Sequence, residues 1–377
     1  MLIIDRYVLR LYLKVLIGCF LSLTGLFIII DLFSNLDKFQ RIVDRDGSWP
    51  ALLCAYYGPR ALTFFDRTSP LMALVAATFA ISSLQRSNEL AALMAAGIPK
   101  IRVVRSLIIG AIAVSLFAAV CRESLIPAYR ERLLRNAKDW RGDNEQELNP
   151  RYDNRTDILI AGRYTIAAER RIGHPQFRLP RGLGRFGSQL VAENAYYRPP
   201  VGDRPGGYLM AGVRQPERIA DIPSVYVKAV PILLTRQDTA WLEPDQCFVV
   251  SDVLFEQLSE GNDWRQFSPT RELLAGLRNP SLDYGADVRV TVHARFLQPF
   301  LDMTLFFLGL PLVISRENRN VFVAIGLCAL VVAIFFVVVL ACQTLGSNYL
   351  LPPALAAWCP LLIFVPAARV IAQSLWR

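Results

Sequence analysis

The amino-acid sequence predicts a polytopic α-helical membrane protein with six transmembrane helices. An all-β domain of sandwich or jelly-roll type is inserted between helices three and four. Three observations predict this. The 377 residues are 53% hydrophobic with a mean hydropathy of +0.33, too apolar for one soluble domain and long enough for several spans plus a folded domain. The apolar residues gather into blocks at the two ends of the chain, almost without charge. Between those blocks the pattern changes to short alternating segments broken by Gly, Pro, Asn and Asp.

The spans follow from the placement of charge. Residues 11–30 are interrupted only by Lys14, and residues 68–85 and 106–121 carry no charge. Residues 296–315 carry only Asp302, and residues 320–368 contain no acidic or basic side chain at all. A span takes roughly 20 apolar residues, so that last run holds two helices. LGSNYLLPP, residues 345–353, is the natural turn between them, because Gly, Asn and the paired prolines interrupt a helix. The expected organisation is therefore residues 1–122 with helices one to three, 123–294 with the β domain and its flanking helices, and 295–377 with helices four to six.

Short loops rich in Lys and Arg stay on the cytoplasmic side. Arg6 and Arg10 precede span one, Arg86, Lys100, Arg102 and Arg105 lie between spans two and three, and Arg316 and Arg319 lie between spans four and five. Arg369 and Arg377 close the chain, and the turn between spans five and six has no charge. Both termini are thus expected in the cytoplasm and residues of about 122 to 295 outside. This topology accounts for most of the net charge of +9, so the pI of 9.3 is not read as a nucleic-acid footprint. The seven cysteines show no CxxC spacing and fall mostly in or beside spans, so neither a disulfide framework nor a zinc site is expected. Span one is long and lacks a small-residue cleavage pattern, unlike a cleavable signal peptide.

In the middle region, residues 157–168, 188–197, 206–213 and 225–234 read as strands, with turn chemistry at RPPVGDRPGG. Residues 123–141 read as a helix leading out of span three. Residues 268–280 read as a second helix capped by Ser268 or Thr270. The histidines are His174 and His293, and no Ser/His/Asp, HExxH or nucleophile-elbow pattern occurs. The alternating apolar faces suit either a plain sandwich core or a groove for acyl chains.

RSNELAALMAAGIPK, residues 86–100, is a short helix between two spans. Asn88 or Ser87 suits its start, and Gly97 with Pro99 its stop. Leu90, Leu93, Met94, Gly97 and Ile101 follow three- and four-residue steps and form one apolar stripe, while Ala91, Ala92, Ala95 and Ala96 keep the helix slim enough to enter a partner's groove. Glu89 in the first turn suits the helix dipole, and a purely capping acid would look the same.

Four stretches in this order resemble the lipopolysaccharide-export permease family, the F and G membrane subunits of the Lpt ABC transporter. They are IIDRYVLRLYLK (3–14), ELAALMAAGIPK (89–100), RVTVHARFLQPFLDMTLFFLGLPLVISRENR (289–319) and LGSNYLLPPALAAWCPLLIF (345–364). LVAENAYY followed by GGYLMAGV adds a looser likeness in the β domain. The resemblance implies a bacterial inner-membrane subunit with a periplasmic jelly roll. It implies a second permease of the same family, a cytoplasmic ABC ATPase dimer, periplasmic jelly-roll bridge proteins and lipopolysaccharide as partners. It makes residues 86–100 the coupling helix and Glu89 the acid that contacts the ATPase. The chain has no GxxxxGK[ST] loop, so ATP and magnesium would be handled by the separate ATPase and no cofactor or metal by this chain.

A lipid with phosphates and acyl chains asks for cations at the outer interface above apolar walls. Lys38, Arg41, Arg60 and Arg67 lie at the expected outer ends of spans one and two, with Asp31, Asp37 and Asp66 among them as neutralising partners. The same cations also suit interfacial snorkelling and surface ion pairs. The G subunit often carries a lysine where the register from IIDRY puts Asp31, which leaves Lys38 or Arg41 as substitutes or implies a different head group. The DLFSNLDKF run after span one leans towards the G subunit. Asp302, an acid within a span, is expected to pair with Arg295 or Arg67. Two other classes remain open at this stage. One is an ABC membrane subunit that transmits force without moving lipid; the other is a membrane-anchored envelope enzyme.

Overall fold

The computed structural model describes residues 3–46, 48–135, 143–180, 186–202, 204–227, 230–259, 264–279, 281, 284–314 and 321–376. Arg316, Arg319 and Arg377 lie outside the described residues, as does the end of the helix expected at 123–141. The chain divides into two compact units, residues 1–129 with 285–377, and residues 130–284.

The first unit is helical. In chain order α1 is Ile3–Ser34, α2 Leu36–Asp46, α3 Trp49–Arg86, α4 Glu89–Ala95 and α5 Lys100–Val120. A single π-helical turn, Cys121–Leu125, carries α5 on into α6, Ile126–Ala128. In the second unit α7 is Arg130–Leu134, followed among the described residues by eleven strands and by α8 (Phe255–Ser259), α9 (Trp264–Phe267) and α10 (Thr270–Arg278). The chain then returns to the first unit with α11 (Ala286–Ile314), α12 (Val321–Ser347) and α13 (Pro353–Trp376).

Among the described residues five helices are long and apolar enough to cross a membrane, within Ile3–Ser34, Trp49–Arg86, Ile101–Ala128, Gly326–Ser347 and Pro353–Ile371. α11, where the fourth span was expected, is a continuous 29-residue helix but is not one of the five. Asp287, Arg289, His293 and Arg295 load its first half with polar side chains, and Asp302 follows.

Two findings on the helices differ from the charge-bounded reading. α3 begins near residue 49, some twenty residues before the expected span, and runs through Arg60, Asp66, Arg67 and two internal prolines, Pro59 and Pro70. Prolines are tolerated in such helices because neighbouring helices and side-chain hydroxyls satisfy the freed backbone groups. Pro70 leaves the Asp66 carbonyl without its helical donor, and Ser69 Oγ donates to it at 3.3 Å. Second, α10 starts after Pro269, without a side-chain cap; Ser268 Oγ instead donates to the Trp264 carbonyl at 3.2 Å. The expected last turn is present: α12 stops at Ser347, Tyr349 takes a positive φ, and α13 starts at Pro353.

Two apolar clusters hold the helices together. One joins Val8, Tyr12 and Leu16 of α1, Met72 to Leu84 of α3, Leu90 of α4 and Val103 to Val114 of α5 with Phe306 and Leu310 of α11. The other joins Leu297 to Leu308 of α11 with Phe335 of α12, Leu361 and Phe364 of α13, and Leu74 of α3. α3 and α11 contribute to both, so they form the middle of the bundle.

The strands are β1 Gln146–Glu147, β2 Arg151–Asp153, β3 Ile158–Ile160, β4 Tyr164–Ile166, β5 Arg171–Gly173, β6 Gln176–Arg178, β7 Gln189–Arg198, β8 Gly207–Gln215, β9 Val225–Val227, β10 Val230–Thr235 and β11 Cys247–Val250. All pairings are antiparallel within one sheet of order β1-β4-β5-β7-β8-β11-β10-β9. β7 pairs β8 on one side and both β6 and β5 on the other, and β6 leads on to β3 and β2. Two of the expected strands are split. Residues 157–168 break at Ala161–Arg163 between β3 and β4, and residues 225–234 form the β9–β10 hairpin, closed by the pair Val227 and Val230. The core is built from inward residues such as Ile158, Ile172, Phe177, Leu190, Tyr208 and Val249.

Candidate functional site

α4 is a seven-residue helix held between α3 and α5 by tight turns. Its start is not capped by a side chain: Asn88 takes a left-handed φ of 57°. Its end is closed by the backbone. The Gly97 N–H donates to the Met94 carbonyl and the Ile98 N–H to the Leu93 carbonyl, both at 3.0 Å, and Gly97 sits at φ 78°. These two bonds make a Schellman stop, in which a glycine takes the left-handed position without the Cβ penalty.

The expected apolar stripe divides. Leu90 is 6% exposed and belongs to the bundle core, and Leu93 is partly buried against the same cluster. These two anchor α4 to the chain's own spans. The period of a helix shows which residues share a face and not which body covers it. Met94 is half-buried, whereas Ala91, Ala92, Ala95, Ala96 and Gly97 are exposed. Glu89 is half-buried, with the Tyr7 hydroxyl of α1 beside its carboxylate. The free face is therefore small and methyl-lined, with the Glu89 carboxylate beside it. The Lys100 side chain lies outside the described residues.

At the opposite ends of α1 and α3 the expected cations are not gathered into one constellation. Lys38 donates to Asn35 Oδ1, whose amide in turn donates to Asp31 Oδ1 at 3.1 Å. Tyr57 OH donates to Asp31 Oδ2 at 2.8 Å. Arg60 donates to the Tyr56 carbonyl at 2.9 Å and its guanidinium lies 3.5 Å from the centre of the Tyr56 ring. Arg41 and Arg67 are exposed. Asp66, expected among these cations, forms a two-pronged pair with Arg122 in the π turn, with bonds of 2.7, 3.1 and 3.1 Å and both side chains 15% exposed. Asn35, Tyr57 and Arg122 were missed from sequence. Only the facing of aspartate and arginine across two neighbouring spans could have signalled the Asp66–Arg122 pair.

A model of the lipopolysaccharide export system permease LptF/LptG matches residues 6–171 and 256–373. The chain belongs to this family. The unmatched stretch, residues 172–255, carries β6 to β11. No curated protein matches the chain.

In this permease Asp302 does not meet Arg295 or Arg67 as a direct partner. It accepts from Ser115 Oγ of α5 at 2.7 Å and from Gln298 Nε2, one turn back on α11, at 2.8 Å. Arg295 instead shares the electrostatic neighbourhood of Glu123, Arg122 and Asp66. An amide one turn away reaches a carboxylate without the cost of stripping water from a guanidinium inside the bundle. The permease also has an apolar groove of about 880 Å³ between α3 and α12, walled by Leu71, Leu74, Phe79, Cys328 and Val332 and ending at Arg86. Among the described residues no group of three or more His, Cys, Asp or Glu is placed to hold a metal ion.

Proposed function

We propose that this chain is one of two permeases in an ABC transporter that extracts lipopolysaccharide, or a related glycolipid, from the inner membrane and passes it to a periplasmic bridge. In this reading α11 is the fourth of six spans, both termini are cytoplasmic and the β unit is a periplasmic jelly roll. The chain itself performs no chemistry. A separate cytoplasmic ATPase dimer binds ATP and magnesium and pushes on α4. The observation that carries the reading is the family match together with a short helix strung between two spans and offering a carboxylate beside a bare alanine face. Leu90 and Leu93 root α4 in α3 and α5, so a push on its exposed face moves the spans with it. Glu89, Met94 and Gly97 belong to the contact zone, and Lys38, Arg41, Arg60 and Arg67 remain the candidates for anionic head groups. The groove between α3 and α12 supports lipid contact along the spans.

The test is purification from native membranes followed by mass spectrometry of co-purifying proteins and lipid, then reconstitution with the recovered ATPase and second permease. Glu89→Ala is expected to leave the assembly intact and to lower both coupled ATP hydrolysis and lipid release. Unchanged rates in vesicles would remove Glu89 from the coupling path. ATP hydrolysis without any co-purifying or released lipid would favour a subunit that transmits force and moves no lipid.

A further inference from the structure

The last two helices bring together two cysteines that lie 17 positions apart in the chain. α12 and α13 form an antiparallel hairpin, and near its turn they touch through small residues. A Cβ placed on Gly346 would lie 2.4 Å from the Ala356 Cβ. One turn down α12 from Gly346 is Cys342, and one turn along α13 from Ala356 is Cys359. In an antiparallel pair those two positions occupy the next layer and face each other. The two thiols lie close enough to act on one another. Both are free; Cys342 is 7% exposed and Cys359 half-buried. A disulfide needs Cα atoms about 4.4–6.8 Å apart, and a helix pair drawn together at a glycine suits that range.

We infer that Cys342 and Cys359 form a dithiol that closes to a disulfide, a redox modification site across the final helical hairpin. The oxidant is a small membrane-permeant disulfide. One cysteine, as its thiolate, attacks a sulfur of that disulfide, and one half leaves as a thiolate that takes up the released proton. The second cysteine then attacks the mixed disulfide, forming the Cys342–Cys359 bond and expelling the other half as a thiol. Two cysteine thiols are oxidised and one external disulfide is reduced to two thiols. The bond would tie α12, which also lines the groove through Cys328 and Val332, to α13. This inference does not depend on what the permease carries.

Sequence supplies a clean readout, because no Lys or Arg lies between Arg319 and Arg369. Trypsin therefore releases residues 320–369 as one peptide with three cysteines, Cys328, Cys342 and Cys359. Membranes holding the full chain are treated with 4,4′-dithiodipyridine, quenched in acid, denatured, alkylated with N-ethylmaleimide and digested. The expected peptide is lighter by two hydrogens, with Cys342 and Cys359 unlabelled and joined; reduction before alkylation restores a label on both. Cys342→Ser, and separately Cys359→Ser, should each abolish the bridge. Labels on both Cys342 and Cys359 after oxidation, separate pyridyl adducts on the two, or a bridge that includes Cys328 would overturn the proposal.

Discussion

Gly97 is the residue whose backbone does most for the candidate coupling element. Its φ of 78° is open to glycine, and a Cβ there would meet no atom within 4 Å. The cost of Gly97→Ala is thus conformational strain alone, about 1 kcal/mol, and it should appear as faster amide exchange at position 97 and at Ile98 with the rest of the bundle unchanged. Asp66 and Arg122 carry a larger stake. Removing one partner leaves a largely buried charge unpaired, so Asp66→Asn is expected to destabilise the chain in detergent by roughly 3 kcal/mol. The exchanged pair Asp66→Arg with Arg122→Asp should recover part of the lost thermal stability; equal melting of wild type and Asp66→Asn would show that the pair contributes little. On the β unit the Arg214 guanidinium, hydrogen-bonded at 2.8 Å, holds the Glu193 carboxyl below the usual carboxylate range, helped by its charge and that of His174. A lowered folded value means that the contribution is present above the unfolded value of about 4.3 and lost as pH falls through the lower folded one. A carbon-detected titration should place Glu193 below ordinary glutamates, and Arg214→Ala should return it to them.

At the scale of elements, α3 and β8 illustrate how a segment is defined by what surrounds it. Charges at 60, 66 and 67 look like a span boundary when helices are bounded by charge alone. α3 passes through them because Arg60 folds onto Tyr56 and Asp66 meets Arg122 on the neighbouring segment. α4 shows the converse: its apolar period is visible in sequence, and the structure shows that Leu90 on that stripe packs against the chain's own spans. In the β unit, Tyr208 of β8 is fully buried with rings from Phe177 and Tyr197 around it, and its hydroxyl donates to the Val253 carbonyl at 2.9 Å. Tyr208→Phe keeps the packing and strands that carbonyl, at a cost of about 1–3 kcal/mol. Chemical denaturation followed by near-ultraviolet circular dichroism should register the loss; an unchanged midpoint would mean that water replaces the hydroxyl.

For the whole molecule, composition and charge placement alone determined a helical membrane protein interrupted by a β region, because burying roughly 20 consecutive apolar residues leaves few alternatives to a span. The last turn, the glycine stop after α4 and the long strands β7 and β8 were legible for the same local reason: turn chemistry and period act within a few residues. The motifs at 3–14, 89–100, 289–319 and 345–364 were enough to indicate the family. What only the tertiary structure decided is which distant residues meet. The two- and three-residue strands β1, β2, β5 and β6 exist through their neighbours, being too short to show a period. Asp302 found Ser115, Asp66 found Arg122, and Cys342 found Cys359, because such pairings depend on how helices pack. A one-dimensional pattern specifies the face a residue occupies, while the depth, partner and solvent of that face belong to the packing of helices and strands far apart in the chain.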